Sequence, residues 1–87
     1  MPWELIIDGS VKKQLKRIPK NYAERISNVI SALAVNPYDG DIEKMEGEQD
    51  VWRRRVGDYR ILYEINSAKK IIHVLDARRR TSGTYWN

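Results

Sequence analysis

Residues 51–65 constrain the fold more than any other part of this chain. Side chains on the two sides of Gly57-Asp58, a tight-turn signal, alternate with period 2. This period is typical of half-buried β-strands, so the stretch predicts a hairpin of two strands, 51–56 and 59–65. A third strand, 69–75, follows a second turn and alternates in the same way. The three strands predict an antiparallel sheet with one apolar face.

The N-terminal part has helical periodicity. Residues 3–8 predict a short strand, and Asp8-Gly9-Ser10 predicts a turn in which Ser10 caps the helix that follows. Apolar residues then recur at helical spacing in two stripes separated by Pro19, which ends the first helix. The stripes are Val11, Leu15 and Ile18, then Tyr22, Ile26, Val29, Ile30 and Leu33. The second helix is expected over about 21–34, which gives a helical hairpin.

The order of these elements defines the expected fold class. Residues 36–41 predict a loop, the acidic stretch to Asp50 is expected to stay irregular, and the tail from Asp76 has no period. The order β-α-α-β-β-β then predicts one α+β domain, residues 1–87. Its helical hairpin packs on one face of a small, mostly antiparallel twisted sheet. The other face and the tail are left for function.

Composition excludes several classes of protein. The chain has 87 residues, which is enough for one small domain. It has no cysteine, which excludes disulfides, zinc–thiolate sites and thiol nucleophiles, and its single histidine argues against a histidine-based metal site. No apolar run approaches the roughly 20 residues of a membrane helix, and the N-terminus lacks a signal-peptide pattern. The expected location is the cytoplasm, with no membrane partner.

Positive charge is concentrated in the C-terminal part. Residues 1–50 carry 7 basic and 9 acidic side chains, whereas residues 51–87 carry 9 basic and 3 acidic ones. Seven of the nine basic residues in 51–87 are arginines, whose planar guanidinium groups match phosphate oxygens. They are Arg53, Arg54, Arg55, Arg60, Arg78, Arg79 and Arg80. The last three are expected just past the final strand. The arginines then form three groups, 53–55, 60 and 78–80, which are expected to converge at one end of the sheet. The cluster suits a phosphodiester that gains charge in the transition state; a solvated sheet face is the alternative.

Few other residues suit chemistry. Tyr85 and Trp86 fit proton transfer or base stacking, and equally a hydrophobic latch for the tail. His73 is the only histidine, but its place in the strand alternation favours a structural role. Candidate carboxylate bases in the acidic stretch, where most side chains are merely solvated, are Glu43, Glu46 and Glu48. A basic face of the first helix, more in keeping with solvation than with a second nucleic-acid site, carries Lys12, Lys13, Lys16 and Arg17.

Two motifs resemble a known superfamily. The run Trp52-Arg53-Arg54-Arg55-Val56-Gly57-Asp58-Tyr59-Arg60-Ile61-Leu62-Tyr63-Glu64-Ile65 resembles the aromatic–basic–x–basic–Val–Gly–x–Tyr–Arg pattern of RelE/ParE toxins of type II toxin–antitoxin systems. Lys44-Met45-Glu46-Gly47 resembles the Lys–Leu–x–Gly that commonly precedes it. The resemblance covers nearly the whole chain. Within the superfamily, Arg60, the arginines expected after the last strand and Tyr85 favour the RelE-like branch. It implies a RelE-like fold and a cognate antitoxin partner.

The resemblance also implies an activity. RelE-like members are mRNA endonucleases that act in the ribosomal A site, where the 2′-hydroxyl attacks the adjacent phosphate. Arg53 and Arg55 match two basic residues that are typically lysines, and Arg60 matches the arginine that contacts the scissile phosphate. Arg79, or alternatively Arg80, matches the arginine after the last strand that serves the leaving group or phosphate.

Further roles follow from the same resemblance. Tyr85 matches a C-terminal tyrosine that stacks on the substrate nucleotide, and Glu43 matches a glutamate base of some relatives. Other cations expected to bind RNA are Arg54, Arg78, Arg80, Lys12, Lys13 and Lys16. No metal or cofactor is expected, because the nucleophile belongs to the RNA.

The general base and the target remain open at this point. Arginine side chains stay protonated in proteins, so Arg53 and Arg55 stabilise charge but are poor bases. The base is then Glu43, or the enzyme has no strong base and relies on positioning and fixed charge. Three functions are considered: a ribosome-dependent mRNA endonuclease, which is favoured; a ParE-like, non-nucleolytic inhibitor of DNA gyrase; and a nucleic-acid-binding domain without toxicity.

Overall fold

The elements of the chain follow the order β-α-α-β-β-β-β, with one strand before the two helices and four strands after them. The structure, a computed structural model, describes residues 3–47 and 50–79. Within them the elements are β1 (Glu4–Ile7), α1 (Gly9–Arg17), α2 (Lys20–Leu33), β2 (Ile42–Lys44), β3 (Val51–Val56), β4 (Tyr59–Asn66) and β5 (Ile71–Arg79). None of the helices found there has the length and apolar composition required to cross a membrane.

The five strands form one sheet in the order β1-β5-β4-β3-β2. β1 pairs with β5 in parallel, and every other neighbouring pair is antiparallel. The two helices connect β1 to the rest of the sheet and cover one of its faces. This arrangement confirms the predicted α+β class with a helical hairpin on a mostly antiparallel sheet.

The hydrophobic core lies between the helices and the covered face of the sheet. β4 contributes Ile61 and Tyr63, both 0% exposed, and β5 contributes Ile72 and Val74, also 0% exposed. Buried helix residues complete the core: Val11, Ile26, Ile30 and Leu33. The predicted alternation in β4 is therefore confirmed, since every second side chain enters this core. Burial of an aliphatic side chain stabilises the fold by about 1.5–3 kcal/mol.

The cap of α1 differs from the prediction. Asp8, not Ser10, is the N-cap, because its carboxylate accepts hydrogen bonds from the backbone N–H and the hydroxyl of Ser10, at 3.1 and 2.5 Å. The bonds to Ser10 lower the pKa of Asp8 below its ordinary value. Pro19 separates α1 from α2 as predicted, because the residue before a proline avoids the helical conformation.

The acidic stretch after α2 contains a strand, so the prediction that it stays irregular is wrong. Residues Ile42–Lys44 form β2, which pairs with Trp52–Arg54 at the edge of the sheet. Three residues are too few for alternation to be recognised in the sequence. The strand forms because β3 offers an unpaired edge.

β5 extends to Arg79, four residues beyond the predicted end of the strand. Tyr63 faces Val74 and Leu62 faces Asp76, so Leu75 is the extra residue of a β-bulge. The bulge shifts the alternation by one residue, and Ala77 becomes buried after Ile72 and Val74. The shift explains why the sequence has no visible period there. It also places Arg78 and Arg79 within the strand, not after it.

Candidate functional site

A row of arginines crosses the face of the sheet opposite the helices, here called the open face. Arg55 of β3 is the cross-strand partner of Arg60 of β4, and Arg60 is the partner of Arg78 of β5. Direct cross-strand partners share a face, and adjacent strands lie about 4.8 Å apart. Like charges in such positions destabilise a sheet. An arginine row of this kind is therefore suited to an anionic ligand rather than to stability.

Acidic residues border the arginine row on the β2 side. Glu43 of β2 faces Arg53 of β3, and its Oε1 forms an ion pair with the Arg53 guanidinium. The Arg53 side chain is 22% exposed, whereas that of Glu43 is 65% exposed. A surface groove at this place is lined by Asp41, Glu43, Arg53, Arg55 and Arg60. The groove thus combines three cations with two carboxylates.

Arg54 has a different environment from its two neighbours. It points to the other face of β3, where its Nη1 donates a hydrogen bond to the backbone carbonyl of Asp39 at 3.2 Å. Gly40 has a positive φ of 92° and packs directly against the Arg54 guanidinium. The Arg55 N–H also donates to the carbonyl of Asp41 at 3.0 Å. Arg54 therefore holds the 39–41 loop, which supplies one wall of the groove.

The structure brings together some of the predicted site residues. Glu43, Arg53, Arg55 and Arg60 line the groove, and Arg78 continues the arginine row. Arg79 does not lie beside Arg60, because it pairs with Tyr59, whose side chain faces the helices. Arg80 and Tyr85 lie outside the described residues. The roles assigned to all of these residues remain predictions.

The lysines of α1 lie apart from the groove. Lys12, Lys13 and Lys16 are exposed on the helical side of the sheet. His73 lies on β5 with its Nε2 4.0 Å from Asp8 Oδ1, away from the arginine row. Within residues 3–47 and 50–79, no three His, Asp or Glu side chains meet as metal ligands would.

Two acidic residues at the site were not predicted. Asp41 lines the groove, and Asp76 forms an ion pair with Arg78, with 2.6 Å between Asp76 Oδ2 and Arg78 Nη2. Asp41 lies in a loop, and Asp76 follows the β-bulge. Neither position has a sequence signal that separates it from other solvated acids.

Comparisons with known proteins agree with this fold. Residues 5–81 match the family model of the ParE toxin of the type II toxin–antitoxin system parDE. RelE1 of Methanocaldococcus jannaschii is 30% identical over 100% of this chain and 99% of its own length. The RelE–RelB complex of Pyrococcus horikoshii OT3 contains a chain with a TM-score of 0.80 and 32% identity, covering 92% of this chain and 97% of that one. The RelB–RelE complex of Methanococcus jannaschii contains a chain with a TM-score of 0.73 and 28% identity, covering 88% of this chain and 92% of that one.

These matches establish the family. The chain belongs to the ParE toxin family, within the RelE/ParE superfamily, as its motifs predicted. It is a toxin of a type II toxin–antitoxin system and is RelE-like in both sequence and structure.

Proposed function

We propose that this toxin is a ribosome-dependent endonuclease that cleaves mRNA codons in the ribosomal A site. The observation that carries the proposal is the groove of Arg53, Arg55 and Arg60 beside Glu43, on a sheet face that no described element covers. A set of fixed cations stabilises the charge that develops on a phosphodiester. This function places the protein in the cytoplasm, with residues 1–87 acting as one toxin domain.

The reaction is a transesterification within the RNA. The 2′ oxygen forms a bond to phosphorus and the bond from phosphorus to the 5′ oxygen breaks, which leaves a 2′,3′-cyclic phosphate and a 5′-hydroxyl. Arg60 holds the non-bridging phosphate oxygens, because it lies at the centre of the arginine row. Arg55 and Arg78 flank it and stabilise the added charge. The 5′ oxygen takes its proton from water.

Glu43 is the proposed acceptor of the 2′-hydroxyl proton. Arginines stay protonated, so the base is a carboxylate of the groove, and Glu43 is the one that an arginine side chain of the groove holds in place. Arg53 contacts Oε1 of Glu43 and fixes the carboxylate, which leaves Oε2 to accept the proton. Tyr85 is proposed to stack on the substrate nucleotide, and Arg79 or Arg80 to assist at the leaving group.

A map of 5′ ends on a defined mRNA tests the function. The protein is incubated with the mRNA, with and without programmed ribosomes, as wild type, Arg60→Ala and Arg17→Ala. Arg17 is an exposed arginine of α1, so its variant loses the same charge outside the groove. We expect cleavage inside the A-site codon only with ribosomes, lost in Arg60→Ala and kept in Arg17→Ala. Absence of cleavage by the folded wild type would refute the proposal.

Gyrase inhibition is the second candidate. The family model that matches is the one for ParE toxins, and the arginine row has no lysine or histidine to carry a proton. Gyrase-dependent DNA breaks without mRNA cleavage would establish this alternative.

We also infer that a cognate antitoxin covers the open face. At a distance from the arginine row the same face carries Ile6, which is 41% exposed and pairs with His73. A basic surface with an apolar part fits an acidic amphipathic segment that folds on binding. Arginine modification by phenylglyoxal, read by mass spectrometry, tests the contact. Arg55 and Arg60 should be protected in the complex and Arg17 should not; equal modification of all three would contradict it.

A further inference from the structure

The outer part of β5 is an edge of the sheet. β1 ends at Ile7, opposite Val74, so β5 beyond that point has a partner strand on the β4 side alone among the described residues. The bulge at Leu75 lies at this transition. Without it, the alternation that buries Ile72 and Val74 would turn Arg78 toward the helices. The bulge therefore decides that Arg78 lies beside Arg60.

Gln14 of α1 closes this edge. Its Nε2 donates a hydrogen bond to Asp76 Oδ1 at 2.6 Å, and its Oε1 accepts one from the Ala77 N–H at 3.0 Å. The same N–H also lies 3.0 Å from Asp76 Oδ1. A backbone N–H at a partly buried strand edge needs an acceptor. Gln14 supplies one while it fixes the Asp76 carboxylate.

Asp76 contacts both helix α1 and the arginine row. Oδ1 faces Gln14, and Oδ2 is 2.6 Å from Arg78 Nη2. The Asp76 side chain is only 14% exposed, whereas that of Arg78 is 60% exposed. A charge-assisted hydrogen bond to a fixed carboxylate restricts the rotamers of a long arginine side chain. It also offsets the repulsion between Arg78 and Arg60.

We propose that Gln14 and Asp76 are positioning residues that hold Arg78 in the arginine row for phosphate stabilisation. The effect on catalysis rests on the proposed function, whereas the effect on Arg78 does not. Gln14 holds Asp76, and Asp76 holds Arg78. Helix α1 thus helps to arrange the open face although it lies on the other side of the sheet.

A double-mutant cycle tests this chain of contacts. Asp76→Asn keeps an oxygen for Gln14 and turns a donor toward Arg78. We expect it to lower kcat for ribosome-dependent cleavage about tenfold, with KM for programmed ribosomes changed less than about twofold. Arg78→Ala should lower kcat at least as much, and the double variant no further than Arg78→Ala alone. Losses that multiply in the double variant would overturn the proposal.

Two further variants complete the test. Glu24→Gln removes an exposed acid of α2 with the same change of net charge, and it should leave kcat unchanged. Gln14→Met removes both side-chain hydrogen bonds but keeps the acid at position 76. Like Asp76→Asn, it should lower kcat, and the Ala77 amide should exchange its hydrogen with solvent faster than in the wild type. If Asp76→Asn does not fold, Gln14→Met decides: unchanged kcat and exchange overturn the proposal.

A readout without catalysis separates this inference from the proposed function. The guanidinium NMR signals of Arg78 should shift in Asp76→Asn, whereas those of Arg17 should not change. Unchanged Arg78 signals overturn the positioning role whatever the activity. Absence of cleavage by the wild type refutes the endonuclease, and the NMR comparison then decides the positioning role alone.

Discussion

The two faces of the sheet carry opposite kinds of side chain on the same strands. On β4, Ile61 and Tyr63 enter the core beneath the helices. Arg60, which directly precedes Ile61, belongs to the arginine row of the open face. One face stabilises the fold through burial, and the other tolerates neighbouring like charges. The contrast indicates that stability and function are separated by the two-residue period of a strand.

Neighbouring substitutions on β4 should expose this separation most strongly. Ile61 is 0% exposed in the core, whereas Leu62 is half-buried on the open face. Ile61→Ala should lower the free energy of unfolding by about 2–5 kcal/mol, because it leaves a cavity. Leu62→Ala should cost about 1 kcal/mol or less, because less surface is buried there. Urea denaturation measures both, and equal losses would contradict the assignment of the two faces.

The 39–41 loop links the faces, and Gly40→Ala tests the link. A Cβ at Gly40 would collide with the Arg54 guanidinium, and φ is 92°. We expect a loss of about 1–3 kcal/mol in unfolding free energy and a weaker cleavage activity, because the groove wall shifts. Gly47→Ala is the matched control, since its φ is 79° but nothing lies within 4 Å of the added Cβ. A loss no larger than that of Gly47→Ala would show that the Arg54 contact is unimportant.

Tyr63 gives a prediction for the covered face at high pH. Its hydroxyl donates a hydrogen bond to the Pro37 carbonyl at 2.8 Å, and burial raises the pKa of Tyr63 to about 12. Folding favours the neutral phenol, so its stabilising effect is complete below pH ~10, the pKa of an unperturbed tyrosine, and is lost as pH rises toward 12. Tyr63→Phe should cost about 1–2 kcal/mol at pH 7 and remove this part of the alkaline loss.

The exposed Tyr38 supplies the control for that variant. Tyr38→Phe should leave the unfolding free energy at pH 7 nearly unchanged, because Tyr38 is 49% exposed. Urea denaturation at several alkaline pH values measures the unfolding free energy of Tyr63→Phe and of Tyr38→Phe. An alkaline loss that persists in full in Tyr63→Phe would contradict the account.

The smallest effect on stability is expected on the open face. Arg55 is exposed and lies opposite Arg60, so Arg55→Gln should change the unfolding free energy by no more than about 0.5 kcal/mol. Cleavage should nevertheless fall by about 10²–10³-fold, because a transition-state contact is removed. Thermal unfolding measures the change in stability of Arg55→Gln, and single-turnover cleavage measures its change in activity. A large loss of stability with unchanged cleavage would reverse the roles of the two faces.

The same contrast explains what could be predicted from sequence. The core positions of β4 and of both helices follow from periodicity, and the family motif runs through β3 and β4, so these parts were predicted correctly. Periodicity also places Arg53 and Arg55 on one face. The short strand β2 and the end of β5 were missed, because edge pairing and a bulge leave no alternation to recognise.

The arrangement of the site depends on contacts between distant residues. The bulge moves Arg78 into the arginine row and turns Arg79 away, and Gln14 reaches Asp76 from 62 positions earlier in the chain. Arg54 looks like its neighbours in sequence but binds the 39–41 loop. Such details depend on register and on side-chain contacts, which a local sequence pattern does not specify.

A structure of the toxin on a ribosome gives the most direct test of the open face as the site of chemistry. The A-site codon would carry a 2′-O-methyl group, which blocks the attacking oxygen and traps the uncleaved complex. The account predicts the scissile phosphate within hydrogen-bonding distance of Arg60, with Arg55 and Arg78 on either side. A phosphate bound instead against the lysines of α1, or away from both faces, would contradict it.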